Sequence, residues 1–210
     1  RVRLWGSISF IAASMTGGYV LSNTGAGMIL PMILAGCAIT VVAALMLPKE
    51  TPLGSDASPR RAGWREALRL CRDRRFLVFM AAGSFIQAAH AVYYTFGTLN
   101  WQRLGLSSTL IGGLWALGVI SEIILFAYSA RVTARFGPAA LLALGGAAGV
   151  LRWVLTAFDP GVWLLIVLQC LHAFTFGATH LAAMQFITRA APAHLAVTAQ
   201  GVYAAVSTGI

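Results

Sequence analysis

Residues 116–130, ALGVISEIILFAYSA, are apolar from end to end except for one carboxylate, Glu122, near the middle. Whether that group is a surface charge or is held inside a membrane depends on the rest of the chain. Of 210 residues, 59% are hydrophobic and only 10% are charged, and mean hydropathy is +0.79, far from the balance of an ordinary water-soluble domain. About 20 apolar residues cross a bilayer, and such stretches run over 4–22, 27–47, 76–98, 109–130, 139–157 and 161–187, with a seventh opening near Leu195. Glu122 therefore belongs to a membrane-spanning helix. The chain begins at Arg1 with neither an initiator Met nor a charged-then-apolar signal segment, and it reads as an internal piece of a larger polytopic protein.

Basic residues in short loops stay on the cytoplasmic side. With the 48–75 loop on that side, Arg1, Arg3, Lys49, Arg60, Arg61, Arg65, Arg69, Arg72, Arg74, Arg75, Arg131, Arg135 and Arg189 collect there, against Arg103 alone on the other. Arg152 falls inside a span. This 13-to-1 asymmetry assigns the net charge of +9 to topology rather than to nucleic-acid binding. The 48–75 loop opens with Pro, Gly and Ser and closes on basic residues, and within it Trp64, Leu68 and Cys71 recur at helical spacing, which suits a short helix on the inner membrane surface. Cys37, Cys71 and Cys170 lack paired spacing and imply neither a disulfide framework nor a zinc site. Small residues in TGGYV (16–20), LGGAAG (144–149) and TFGATHLAA (175–183) allow close approach of helices.

The chemistry rests on the ionisable groups inside the hydrocarbon: His90, Glu122, Arg152, His172 and His180. A charge at the centre of a span costs about 2.5–3.5 kcal/mol even on the lenient insertion scale, so each must face a protein interior or a wet cavity. Counting along the spans brings His90, Glu122, Arg152 and His172 into one polar layer contributed by four helices. Glu122 and Arg152 carry opposite charges and form the expected pair, and His180 reads as hydrogen-bonded to a nearby carbonyl. Enzyme chemistry is weakly supported. His172 and His180 stand eight residues apart, roughly 12 Å along a helix, too far to share a metal ion. Ser7 and Ser84 follow glycines inside long apolar runs rather than occupying a sharp exposed turn. No cofactor is expected.

RVRLWGSISF (1–10), AHAVYYTFGTLNWQ (89–102), LWALGVISEIILFA (114–127), GVLRW (149–153), LQCLHAFTFGATHLAAMQFI (168–187) and AQGVYAA (199–205) together resemble the phenylpropionate-permease group of the major facilitator superfamily. The resemblance covers nearly the whole chain. It implies an all-α membrane protein with the major facilitator superfamily fold, here a fragment covering about helices 5 to 11 of twelve. Residues 1–47 are then the last two helices of the N-terminal six-helix half, 48–75 the central cytoplasmic loop, and 76–210 the C-terminal half, with four complete helices and the start of a fifth. A more distant similarity to the sugar/proton symporters typified by lactose permease carries roles over by position. It gives substrate binding to Arg3, with Phe10 as the stacking aromatic seven residues on, and matches Glu122, Arg152 and His172 to the functional residues of the family's eighth, ninth and tenth helices. Two positions depart: Thr175 stands where those symporters carry a proton on a glutamate, and their seventh-helix aspartates are replaced around Ala91 and Tyr94.

The expected function is proton-coupled symport of a small organic solute, preferably an aromatic monocarboxylate, by a multi-pass protein of the bacterial inner membrane working as a monomer. The expected partners are the solute, protons and the lipid bilayer, with no nucleic acid. Glu122 and His172 are the candidates for proton coupling, and Arg3, Phe10, His90, Tyr94 and Arg152 for substrate binding, with Tyr93, Trp101 and Trp115 as further ring contacts, of which Trp101 reads better as a packing or interface-anchoring residue. A sugar or nucleoside symporter, or a sensor or scaffold that keeps the fold but translocates nothing, are the alternatives. The charge asymmetry generates a first test: cysteines introduced at Asn23 and Ser58 should be labelled from opposite sides of the membrane, and labelling of both from one side would overturn the orientation.

Overall fold

The computed structural model describes residues 2–47 and 72–208; the surface helix expected around Trp64, Leu68 and Cys71 lies outside the described residues. Helix α1 spans Val2–Thr24 and ends at Gly25, whose φ of 80° turns the chain through a short 3-10 segment, Ala26–Met28, into α2, Ile29–Leu45. Helix α3 spans Arg74–Arg103, α4 Ser108–Ala127, the short α5 Ser129–Arg135 and α6 Pro138–Thr156. The last long span is built in three pieces: α7, Val162–Cys170, a π-helical segment, Ala173–Ala178, and α8, Thr179–Ala190. Helix α9 follows at Ala196–Thr208. Five stretches, Ala26–Leu45, Arg74–Arg103, Ser108–Ala127, Pro138–Thr156 and Val162–Ala190, are long and apolar enough to cross a membrane. The expected span at 4–22 also forms as the 23-residue α1, though Ser7, Ser9, Ser14, Thr16 and Ser22 make it more polar than the five.

Local chemistry sets the boundaries. Asp73 caps α3 by accepting from the Phe76 N–H at 2.9 Å, and Ser107 caps α4 by accepting from the Leu110 N–H at 3.3 Å. Pro138 opens α6 at a position where its missing N–H costs nothing. Helix α3 runs past the expected end at residue 98 and stops at Arg103, shortly before Gly105 adopts φ +81°. The extra turn carries Trp101 inward. Expected to pack or to anchor at the interface, it is buried, packing on Tyr93 and Trp115 at ring distances of 5.6 and 5.3 Å. Beyond it, Arg103 donates to Asp159 at 2.7 Å and ties the end of α3 to the turn before α7. At the opposite end, Arg75, Arg189 and His194 line one surface cavity, which brings together segments assigned to the same side of the membrane.

Apolar side chains pack in two clusters. One joins Phe76, Phe79 and Met80 of α3 to Leu141, Ala182, Ile187 and Tyr203, with Phe186 stacked on Phe79 at 4.1 Å. The other joins Trp101, Ile111, Leu114 and Leu165. The polar residues of α3, α4, α6 and the three-piece span lie between them, so each cluster closes one end of a polar layer.

The contact of α1 with α4 depends on two glycines. A Cβ at Gly18 would stand 2.5 Å from the Ser108 carbonyl oxygen, and one at Gly112 would stand 2.3 Å from that of Ser14. Backbone lies against backbone here, as small residues in both helices permit. Gly112→Ala should therefore force the helices apart and destabilise the protein by about 1–3 kcal/mol, whereas Gly113→Ala, whose Cβ would meet nothing within 4 Å, should be close to neutral. Thermal unfolding of the two variants in detergent checks this.

Candidate functional site

Helix α6 presents Leu141, Gly145, Ala148, Gly149 and Arg152 to the protein interior at helical spacing. Gly145 lets this face approach the π-helical segment: a Cβ there would lie 2.4 Å from Thr179 Oγ1 and 3.1 Å from the Phe174 carbonyl. Two turns further along the same face, Arg152 reaches the polar side chains of the neighbouring span. It is only 1% exposed.

The guanidinium is solvated by protein. Nη2 donates to Gln169 Oε1 at 2.7 Å, and Nη1 donates to Thr175 Oγ1 at 3.2 Å and to His172 Nδ1 at 3.4 Å. Its Cζ lies 4.9 Å from the centre of the Tyr93 ring and 4.7 Å from that of Trp153, cation–π contacts that gain strength in a water-poor setting. Hydrogen bonds involving a charged partner contribute about 1.5–3 kcal/mol each, so three of them together exceed the insertion cost of about 2.5–3.5 kcal/mol.

Donor and acceptor logic extends from this centre in two directions. Arginine can only donate, so His172 Nδ1 accepts, and its neutral ring carries the proton on Nε2. Nε2 faces Glu122 Oε2 at 3.7 Å, too long for a hydrogen bond and close enough for strong electrostatic coupling. His172 thus stands between the carboxylate of Glu122 and the guanidinium of Arg152, the two groups expected from the sequence to face each other. On the other side, His90 Nδ1 donates to the Ile86 carbonyl at 2.9 Å, which leaves Nε2 of the neutral ring to accept from Thr175 Oγ1 at 3.0 Å. Thr175, 0% exposed, is the hub joining Arg152 to His90. It lies in the π-helical segment, an element that recurs at functional sites.

A cavity of about 570 Å³ opens onto this layer, within the size range of small-molecule sites. Phe10, Tyr94, Trp115 and Phe176 supply its aromatic wall, and Glu122, Arg152, Gln169 and His172 its polar wall. Of the candidates read from the sequence, Phe10, Tyr94, Glu122, Arg152 and His172 meet here. His90 does not line the cavity and stands behind it, with ring contacts to Trp153, His172 and Phe176 at 5.4, 5.5 and 6.2 Å. The side chain of Arg3, at the start of α1, lies outside the described residues. His180 packs against Phe126 at 5.9 Å. Gln169 escaped sequence reading because it is uncharged, although it precedes His172 by one helical turn. Among the described residues, no group of three or more His, Cys, Asp or Glu is placed to hold a metal ion.

A model of the MFS_1 like family matches residues 1–210. The chain belongs to that family. One relative, named "Probable 3-phenylpropionic acid transporter", from Escherichia coli (strain K12), is 35% identical over 209 residues, covering 100% of this chain and 54% of the relative. An uncharacterized transporter from Bacillus subtilis (strain 168) is 29% identical over 211 residues, covering 99% and 51%. Maltose permease from Geobacillus stearothermophilus is 25% identical over 209 residues, covering 100% and 52%. The chain spans about half the length of these curated relatives. No solved structure matches it. Its sequence is similar to the phenylpropionate-permease group within that family, and it is a multi-pass integral protein of the bacterial inner membrane.

The hub role of Thr175 is testable by near-isosteric replacement. Thr175→Val removes the oxygen that serves both Arg152 and His90, and should cost about 1–3 kcal/mol of stability for the polar groups left buried; Thr175→Ser should remain near wild type. Thermal unfolding in detergent measures both.

Proposed function

We propose that the protein is a secondary active transporter that couples protons to the uptake of a small organic solute, with aromatic monocarboxylates, such as 3-phenylpropionate, preferred. The observation that carries this reading is the cavity in which a buried arginine, a carboxylate–histidine row and an aromatic wall meet. A ring packs on Phe10, Tyr94 and Trp115, and a carboxylate is drawn to Arg152, whose planar fork suits it. Arg3 is a second basic group for the solute, and His90 acts from behind the wall by holding Thr175. The name of the 35% identical relative supports the substrate class. Residues 1–47 are then the end of the N-terminal half, 48–75 the central cytoplasmic loop and 76–210 the C-terminal half. The halves rock about the midplane site to expose it to either side, in a protein that works as a monomer.

Coupling follows from the order of the row. With Nδ1 of His172 accepting from Arg152 and Nε2 facing Glu122, a second proton on the ring has to displace the arginine from Nδ1. A proton on Glu122 instead removes the negative charge beside the ring. Either event changes what Arg152 offers an arriving anion. A sugar or nucleoside solute is the second reading, favoured by the Thr98 and Gln169 side chains in the lining and by the similarity to a maltose permease; a thermal-shift screen of carboxylates, sugars and nucleosides separates the classes. Counterflow in proteoliposomes tests the non-transporting alternative, since a scaffold shows no exchange.

Glu122 is the first candidate proton carrier. The spans from 76 to 187 contain no other carboxylate, and Thr175 stands where the resemblance puts a glutamate. Glu122→Gln keeps volume and mimics the protonated form. It should preserve exchange of solute across the membrane while abolishing accumulation driven by a pH gradient. A Gln variant that still concentrates solute would transfer the role to His172 or to residues beyond this chain.

A further inference from the structure

The amide of Gln169 is engaged at both ends. Its Oε1 accepts from Arg152 Nη2 at 2.7 Å, and its Nε2 donates to the Tyr93 hydroxyl. Tyr93 is also one of the two rings lying against the guanidinium. Because arginine can only donate, the amide cannot be turned around without facing an N–H with an NH₂. Gln169 itself is 2% exposed and lines the same cavity as Arg152.

The acceptors that hold Arg152 are an amide, a hydroxyl and an imidazole nitrogen. The carboxylate in this layer, Glu122, approaches His172. The protein thus fixes the position of the guanidinium through neutral acceptors. A carboxylate at residue 169 would occupy the same place, at the same distance, and pair with it directly.

We propose that Gln169 is a specificity-determining positioning residue: by orienting Arg152 through a neutral acceptor, it reserves the arginine's charge for an anionic solute. This rests on the monocarboxylate reading of the cavity. The relevant contrast is between an acid and its uncharged amide of the same shape. A guanidinium oriented by neutral acceptors favours the acid strongly, while the aromatic wall receives the ring of both.

The substitution that isolates the charge is Gln169→Glu. It conserves size and shape, one oxygen still accepts from Arg152, and the Tyr93 hydroxyl can turn to donate to the other. In the full-length protein at neutral pH, binding of 3-phenylpropionate and of 3-phenylpropionamide is measured by titration calorimetry. Wild type should prefer the acid. In Gln169→Glu, affinity for the acid should fall by on the order of 100-fold, the scale of losing a buried charge partner, with affinity for the amide nearly unchanged, which also reports an intact fold. Gln169→Met removes the orienting oxygen without adding a charge; it should weaken the acid more than the amide yet retain a preference for the acid. An undiminished affinity of Gln169→Glu for the acid, or an equal loss of acid and amide in either variant, would overturn the role of Gln169. Wild type that does not bind the acid would overturn the substrate reading, and with it this proposal.

Discussion

A guanidinium that cannot be deprotonated has been carried into the middle of an apolar span, and the interior of the protein is arranged around solvating it. Arg152 receives three side-chain acceptors from the span Val162–Ala190 and two ring faces, one from α3 and one from its own helix. No single neighbouring helix supplies all of this. Helices α3, α6 and the three-piece span must meet at one height, and the apolar clusters at Phe76–Ile187 and Trp101–Leu165 close the layer on either side. Buried charges are a poor route to stability for its own sake, so a site that spends so many groups on one cation is organised for what that cation contacts.

Backbone proximity makes the meeting possible. Gly145 lets α6 approach the carbonyl of Phe174 and the hydroxyl of Thr179, which lie in and just after the π-helical segment. That segment, AFTFGA, mixes a β-branched residue, a glycine and aromatics, a composition with low α-helical preference. Thr175 sits within it and bonds outward, to Arg152 and His90. The weak helix former at the centre of a long span is thus matched by the polar contact that gives it a defined position.

Much of the helical frame was legible in the sequence because hydrocarbon imposes a one-dimensional rule: about 20 apolar residues, then a loop. The same rule exposed Glu122, Arg152, His90 and His172, since each stands out as a cost in an apolar run. It could not say which of them touch. Side-chain partners depend on helix rotation and on how closely helices approach, and His172 lies between Glu122 and Arg152 for that reason. Gln169 raised no signal because an amide costs far less than a charge. Trp101 read as either a packing or an interfacial residue from its position near a span end, and α3 continues long enough to bury it.

The position of His172 also bears on how a proton and an anion could share one cavity. Its two ring nitrogens face opposite neighbours, an arginine that can only donate and a carboxylate that accepts when ionised. Neutral, the ring accepts from the arginine and turns its N–H toward the carboxylate. Doubly protonated, it repels the guanidinium and is attracted to the carboxylate. The same atom therefore cannot hold the added proton and the arginine together, and a proton that releases the arginine toward a solute couples the binding of the two ligands. A solute carboxylate entering beside Arg152 supplies the negative charge that the displaced guanidinium then needs. In the proposed symport, proton and anion would favour each other's binding through a single histidine, with no requirement for a second carboxylate at Thr175.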